Sequence, residues 1–137
     1  MNPDAYLDSL EPVGWRLGLE RMRKLTTALG LPQHRFASVH VVGTNGKSSV
    51  TRMTAALLEA HGLSAGALVS PHAERWSERT LIRGEEVGAA EWEAAVEQVA
   101  HAAEGVNRTL AEGDAVTQFE AATAASFAAL ARARVEA

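Results

Sequence analysis

The stretch that decides the fold is VVGTNGKSS, residues 41–49. Its Gly46-Lys47-Ser48 segment matches the end of the phosphate-binding pattern G-x-x-x-x-G-K-[ST], whereas Val41 stands where that pattern begins with glycine. Small residues let such a loop curve tightly, so that successive backbone N–H groups face phosphate oxygens. The stretch therefore predicts a nucleotide-binding loop made of Gly43, Thr44, Asn45, Gly46, Lys47, Ser48 and Ser49.

The segments around this loop have the order of a βαβ unit. The β-branched run at 38–42 predicts a buried strand, and apolar residues at helical spacing between Val50 and His61 predict a helix. A second strand is predicted at 65–69, stopped by Ser70-Pro71. We therefore expect an α/β fold with a P-loop NTPase-like parallel sheet flanked by helices. A Gly-Asn turn with an incidental lysine is the alternative for the loop, and the strand–loop–helix setting favours phosphate binding.

The residue types in the loop suit the phosphates of ATP and a magnesium ion. Lys47, the candidate catalytic residue, can bridge the terminal phosphates as a point charge. The N-terminus of the following helix adds its dipole and its free N–H donors. A hydroxyl of Ser48 or Ser49 can bind Mg²⁺, and the sequence leaves open which of the two does so.

The rest of the chain predicts three more helices and a short extended piece. Met22, Leu25 and Leu29 share one face of a helix between residues 17 and 29. An extended piece is predicted at 80–82, with a turn at 83–85. A helix begins near Glu91, a loop spans 105–113, and Phe119, Thr123, Phe127 and Leu130 mark the apolar face of the last helix.

Composition excludes several classes of protein. The 137 residues carry a net charge of −4, which gives no support for a nucleic-acid partner. Cysteine is absent, so neither a disulfide framework nor a thiolate site can form. No apolar run approaches the length of a membrane span, and the first residues lack a signal-peptide pattern. We therefore expect a cytoplasmic protein with no membrane partner.

Five short stretches, distributed over nearly the whole chain, carry a further signal. They are GLER (18–21), HVVGTNGK (40–47), SPH (70–72), ER (78–79) followed by Ile82, Gly84 and Glu85, and TQFE (117–120). Together they resemble the motifs of folylpolyglutamate synthase/dihydrofolate synthase, the folate branch of the Mur ligase family. One departure is Ser48, because folate-branch members commonly have glycine after the loop lysine.

The resemblance implies a sheet of the Mur ligase central-domain type and an ATP-dependent ligase. Such an enzyme would join L-glutamate to dihydropteroate or folate through an acyl phosphate. The resemblance also implies that Ser70 supplies a hydroxyl to Mg²⁺, and its place at the end of a strand beside the loop fits that role. A turn residue before proline is the alternative reading of Ser70.

The TQFE stretch has two readings that can hold together. Thr117 and Glu120 have the spacing of a capping box, in which both side chains satisfy backbone N–H groups at a helix start. By resemblance, the same stretch borders the pterin substrate, with Phe119 as an apolar contact. Thr117, Phe119 and Glu120 are therefore candidate substrate residues.

The motif map implies a truncated protein. By resemblance, residues 1–137 form the N-terminal part of the ATP-binding domain, without the rest of that domain or the C-terminal ligase domain. We expect this chain alone to be inactive in ligation. The alternatives are a non-catalytic nucleotide-binding fragment, another Mur-type amide ligase acting on a peptidoglycan precursor, and a P-loop kinase, against which the SPH and TQFE stretches argue.

Overall fold

The structure is a computed structural model that describes residues 1–12 and 18–137, so Leu17 of the predicted first helix lies outside the described residues. Helices outnumber strands, and the strands are short. In the described part of the chain the α-helices and strands are α1 (Pro3–Asp8), α2 (Glu20–Ala28), α3 (Lys47–Ala60), β1 (Gly66–Leu68), β2 (Thr80–Ile82), β3 (Glu85–Glu86), α4 (Ala89–Asn107) and α5 (Gln118–Arg132). Two short 3-10 helices in the same part of the chain lie at Pro32–His34 and Trp76–Arg79. Helix α4 continues three residues into the predicted loop at 105–113.

The main core lies between α4 and α5, with α1 and α2 packed against the pair. The predicted face of α4 is confirmed, because Trp92, Val96, Val99 and Ala103 are all buried. Helix α5 instead buries its alanines, which allow the two helices to approach closely. Phe119, on the predicted apolar face of α5, is 61% exposed, whereas Leu130 on the same face is only 5% exposed. The predicted apolar face of α5 is therefore open at its N-terminal end and buried at its C-terminal end.

The small sheet has the order β1-β2-β3, and both pairings are antiparallel. The predicted turn joins β2 to β3 through Arg83 and Gly84, whose φ angles of 51° and 81° suit a two-residue hairpin. A buried hydrogen bond of 2.8 Å between the hydroxyls of Thr80 and Ser126 attaches β2 to α5. The predicted extended piece at 80–82 is confirmed, and β1 covers the middle of the predicted strand at 65–69.

The expected parallel sheet is not seen in the described residues, and this part of the fold prediction is wrong for the chain as it stands. Residues 38–42 form no strand, and Val39 and Val42 are 66% and 76% exposed. The physical reason is the missing ladder: among the described residues, no backbone hydrogen bond joins 38–42 to β1. Helix α3 is also uncovered, since none of its described side chains is buried.

Two glycines provide a matched test of this packing. A Cβ on Gly66 would meet the side chain of Leu130 and lie 3.2 Å from the carbonyl oxygen of Leu81. We therefore expect Gly66→Ala to lower the free energy of unfolding by about 1–2 kcal/mol through overpacking. A Cβ on Gly105, inside α4, meets nothing within 4 Å. Gly105→Ala should raise the same free energy by about 0.5–1 kcal/mol. Urea denaturation of both variants checks the pair, and a Gly66→Ala variant as stable as the wild type would contradict the packing at β1.

Candidate functional site

The loop at 43–47 makes a tight turn that ends in the first residue of α3. Gly46 precedes the helix with a φ of 74°, a left-handed conformation that glycine adopts without strain. The ammonium of Lys47 folds back over the loop and donates to the carbonyl oxygen of Gly43 at 2.8 Å. Thr44 and Asn45 lie between these glycines and are exposed. The loop is therefore an open concave turn with its lysine positioned over it.

The start of α3 is open to an anion. No side chain caps the helix at Gly46, so the first N–H groups of α3 have no side-chain acceptor. The first turn contains no acidic residue, and it begins with Lys47. A cation, free N–H donors and the positive end of the helix dipole thus meet at one point, and this combination suits phosphate oxygens.

The structure brings Ser48 and Ser70 together at one rim. The Ser48 hydroxyl donates to the backbone carbonyl oxygen of Ser70 at 2.8 Å, which ties the loop to the chain just after β1. Ser49 is exposed and makes no such contact. Within the described residues there is no cluster of three or more His, Cys, Asp or Glu side chains that could hold a metal ion. A cation at this rim would therefore depend on hydroxyl oxygens and on the oxygens of a bound phosphate, which are ligand types that Mg²⁺ accepts.

A cavity of about 790 Å³, called here the central groove, opens beside the loop. One wall is the segment 36–43, and the other is 66–70, which contains β1. Helices α3 and α5 border the space between the walls. The cavity is lined by five of the candidate residues, which the structure thus brings together: Gly43, Lys47, Ser48, Ser70 and Phe119.

Thr117 and Glu120 are used structurally at the start of α5. Both halves of the capping box are present: Thr117 Oγ1 accepts from the Glu120 N–H at 3.3 Å, and Glu120 accepts from the Thr117 N–H at 2.9 Å. Glu120 also accepts from Nε of Arg21 with both oxygens, at 3.1 and 3.0 Å. Asp114 pairs with the same guanidinium at 3.0 Å. The hydrogen bond that Arg21 donates to Glu120, more than any other contact, raises the pKa of Arg21.

This ion cluster was missed by sequence reasoning. Arg21 and Glu120 both fall in quoted stretches, GLER and TQFE, but they stand 99 positions apart and neither stretch alone indicates a pairing. The only local signal was a charged residue one helical turn before Leu25, on the face of α2 that is buried.

A second cluster that the sequence did not indicate lies beside Ser70. Arg79 donates from Nε to Nδ1 of His72 at 2.7 Å, and its guanidinium lies 4.4 Å from the ring centre of Trp76. The rings of His72 and Trp76 are 4.5 Å apart. Burial lowers the pKa of Arg79. Trp76 and Arg79 line the central groove, so the aromatic and cationic groups of this turn face the same space as Lys47.

Glu78 holds this turn in place and makes it sensitive to acid. Its carboxylate accepts backbone N–H bonds from Ala73, Arg75 and Glu74 at 2.8, 2.8 and 3.0 Å. These bonds, with that from Ala73 first, lower the pKa of Glu78 from its ordinary value. A carboxyl whose folded-state pKa is depressed stabilises the fold above its unfolded-state pKa and loses that contribution as pH falls through the folded-state value.

We therefore expect Glu78→Gln to lower the melting temperature at pH 6, and the difference from the wild type to shrink as the pH falls below about 4.5. Thermal unfolding between pH 3 and pH 7 measures this. The control is Glu112→Gln, because the Glu112 carboxylate has no hydrogen-bond partner among the described residues. A difference that is the same at pH 3 and pH 6 would contradict the role given to the three N–H bonds.

Comparison with known proteins gives a consistent set of relatives. No family model matches the chain. The chain is 34% identical over 129 residues to dihydrofolate synthase/folylpolyglutamate synthase of Bacillus subtilis, an alignment that covers 90% of this chain and 30% of the relative. The folylpolyglutamate synthase of Mycobacterium tuberculosis, solved in complex with ADP, superposes with a TM-score of 0.87 at 34% identity, covering 96% of this chain and 29% of that one.

A solved complex of folylpolyglutamate synthase (FPGS) with AMPPCP and folate superposes with a TM-score of 0.88 at 34% identity, covering 98% of this chain and 32% of that one. The chain thus spans about 30% of the length of the relatives it matches. In the part of the chain that the structure describes, no helix is long and apolar enough to cross a membrane.

Proposed function

Because this chain is a homologue of the folylpolyglutamate synthase/dihydrofolate synthase ligases over about 30% of their length, we propose that it is the ATP-binding portion of such a ligase. The reaction would add L-glutamate to dihydropteroate or folate. The solved relatives support the choice of ligands, since those proteins are complexed with ADP, or with AMPPCP and folate.

The observation that carries the proposal is the open start of α3. Lys47, the uncapped N–H groups after Gly46 and the loop 43–46 present one cation and several backbone donors to the same volume. This arrangement suits the β- and γ-phosphates of ATP, because phosphoryl transfer depends on positioning and on neutralising charge at the phosphate oxygens. In the free chain Lys47 holds the Gly43 carbonyl, and we propose that phosphate replaces this acceptor.

We propose that Mg²⁺ is held beside the phosphates by hydroxyls at the Ser48–Ser70 rim. The ion would neutralise charge on the transferred phosphoryl group. Ser48 is the better of the two candidate loop serines, because its hydroxyl already lies at the Ser70 carbonyl, whereas Ser49 is exposed and apart from it.

We propose that the carboxylate substrate approaches along the central groove. One carboxylate oxygen would attack the γ-phosphorus, ADP would leave, and an acyl phosphate would form. The amine of glutamate would then attack the acyl carbon, inorganic phosphate would leave, and the amine would lose a proton. Phe119, 61% exposed on the groove, is the candidate contact for a flat aromatic substrate. The capping box and the ion pair with Arg21 would hold Thr117 and Glu120 so that Phe119 keeps its place.

A titration of the purified chain tests the nucleotide part of the proposal. We expect calorimetry with Mg²⁺ to give a dissociation constant for ATP at least about tenfold lower than for AMP, because the loop acts on the outer phosphates. Equal affinity for ATP, AMP and adenosine would contradict the proposal that the loop binds the outer phosphates of ATP.

The second candidate function is that of a nucleotide-binding fragment without catalytic activity. It is supported by the alignment, which covers only 30% of the relative's length. Both candidates predict ATP binding, and ligation distinguishes them. We expect the 137-residue chain alone to form no amide from ATP, glutamate and dihydropteroate or folate. Production of ADP and the glutamyl product by this chain would show that it carries the full activity.

A further inference from the structure

Helix α1 is bonded to segment 70–79, which follows β1 and begins at the candidate metal residue Ser70. Asp4 and Asp8 stand one turn apart on α1, and both accept from the same residue. Asp4 Oδ1 accepts from the backbone N–H of Trp76 at 2.9 Å, and Asp8 Oδ1 accepts from its indole Nε1–H, also at 2.9 Å. Trp76 is only 7% exposed, so the two bonds fix both the backbone and the ring of a buried residue.

The ring of Trp76 transmits this constraint to two other residues of the segment. The Arg79 guanidinium lies 4.4 Å from the ring centre, and the His72 ring lies 4.5 Å from it. Arg79 donates to Nδ1 of His72 at 2.7 Å, which closes a three-residue cluster. Fixing Trp76 therefore also fixes His72, which stands two positions after Ser70.

Segment 70–79 returns to the rim of the phosphate loop at both of its ends. The carbonyl oxygen of Arg79 accepts from the N–H of Val69, the residue before Ser70, at 2.8 Å. The carbonyl oxygen of Ser70 accepts from the Ser48 hydroxyl in the first turn of α3, also at 2.8 Å. A continuous series of contacts thus runs from α1, through Trp76, to the start of α3.

Helix α1 has an anchor of its own in the main core. Leu7 is fully buried there, and Tyr6 and Leu10 pack against the same cluster. The carbonyl oxygen of Leu7 also accepts from the Gln118 side chain at 3.2 Å. These contacts do not involve the Asp8 side chain, so its carboxylate can be replaced without detaching α1 from the protein.

We propose that Asp8, assisted by Asp4, is a positioning residue for magnesium: through Trp76 it keeps segment 70–79 where Ser70 meets the start of α3. Asp8 does not line the central groove, whereas Trp76 does, so the effect of Asp8 passes through the indole. The inference rests on the proposed binding of Mg·ATP at the loop, and it adds residues that act on the ion from a distance.

The test compares Asp8→Ala with Asp8→Asn, whose amide oxygen can still accept from the indole N–H. Calorimetry gives the dissociation constant for ATP with Mg²⁺ and, separately, with EDTA. We expect Asp8→Ala to raise the constant for Mg·ATP by about fivefold, the effect of one lost hydrogen bond. The constant for ATP in EDTA should stay within about twofold of wild type, because Lys47 and the loop amides are unchanged. Asp8→Asn should match the wild type in both.

The matched control is Glu11→Ala, which removes the same charge from the same end of the chain. The Glu11 carboxylate has no hydrogen-bond partner among the described residues, and the bond that Glu11 makes to Gln118 uses its backbone oxygen. We expect this variant to bind ATP as the wild type does under both conditions.

A second variant and a measurement without nucleotide complete the test. Trp76→Phe removes the indole N–H but keeps an aromatic ring in the cluster. It should weaken Mg·ATP binding as much as Asp8→Ala, and the double variant should lose no more, because both changes break one hydrogen bond. In the free protein, Asp8→Ala should speed amide hydrogen exchange in segment 70–79 by about fivefold or more and leave α3 at the wild-type rate.

Three results would overturn the inference. Unchanged exchange in segment 70–79 of Asp8→Ala would show that Asp8 does not position it. Equal losses of affinity with Mg²⁺ and with EDTA would make Asp8 a residue of general stability. Additive losses in the double variant would separate Asp8 from Trp76. Failure of the wild type to bind Mg·ATP more tightly than adenosine would instead contradict the proposed function, and the exchange measurement would still decide whether Asp8 positions the segment.

Discussion

Arg21→Met is expected to lower the free energy of unfolding by about 3 kcal/mol, a large fraction of the stability of a small domain. The side chains of Arg21 and Glu120 are only 8% and 11% exposed, so removing the guanidinium leaves the Glu120 carboxylate in a desolvated place without its partner. Breaking a buried pair from one side is costly for that reason. Urea denaturation measures the loss.

Arg23→Met is the matched control, because Arg23 lies on the exposed side of the same helix. The double variant Arg21→Met/Glu120→Gln separates charge from capping, since glutamine can keep the capping box while removing the carboxylate charge. We expect the double variant to be more stable than Arg21→Met alone. If Arg21→Met and Arg23→Met lower the free energy of unfolding by the same amount, the ion pair between Arg21 and Glu120 does not stabilise the fold.

Lys47→Met is expected to weaken binding of Mg·ATP by about 30-fold, the effect of losing about 2 kcal/mol from a charge-assisted contact to phosphate. Its ammonium is the cation on the rim of the groove at the start of α3. Binding of adenosine should not change, because adenosine has no phosphate to contact. Calorimetric titration of both ligands measures the two effects.

The control for this substitution is Lys24→Met. Lys24 is the other lysine in the chain, and it is engaged on α2 with the Glu20 carboxylate at 3.1 Å and with Thr109. Its loss removes the same charge from the protein, so any difference between the two variants reflects position rather than net charge. Equal affinities for ATP in the two variants would show that Lys47 does not contact the bound phosphates.

The sequence predicted the elements whose cause is local. The start of α3 after Gly46 follows from the loop pattern, and the hairpin at Arg83-Gly84 follows from turn chemistry. The capping box at Thr117 is also local, since both of its hydrogen bonds lie within one helical turn. In each case the residues that determine the structure are within a few positions of one another.

The failures have non-local causes. The parallel sheet was predicted from two apolar segments, but sheet formation depends on a ladder, and Glu136 rather than a full strand stands between Ala37 and Ser64. The face of α5 that reads as core, with Phe119 and Phe127, lines the groove instead, because alanines on the opposite face allow α4 to approach. Periodicity marks an apolar face but does not say what covers it.

The central claim is that the loop at 43–48 binds the phosphates of a nucleotide, and lysine acetylation tests it most directly. The chain has two lysines, so mass spectrometry can follow Lys47 with Lys24 as an internal reference in the same molecule. With Mg·ATP at about ten times its dissociation constant, we expect acetylation of Lys47 to slow by about tenfold, because few sites remain free. Lys24 should react at an unchanged rate, and adenosine should protect neither lysine. Equal rates at Lys47 with and without saturating Mg·ATP would contradict the claim.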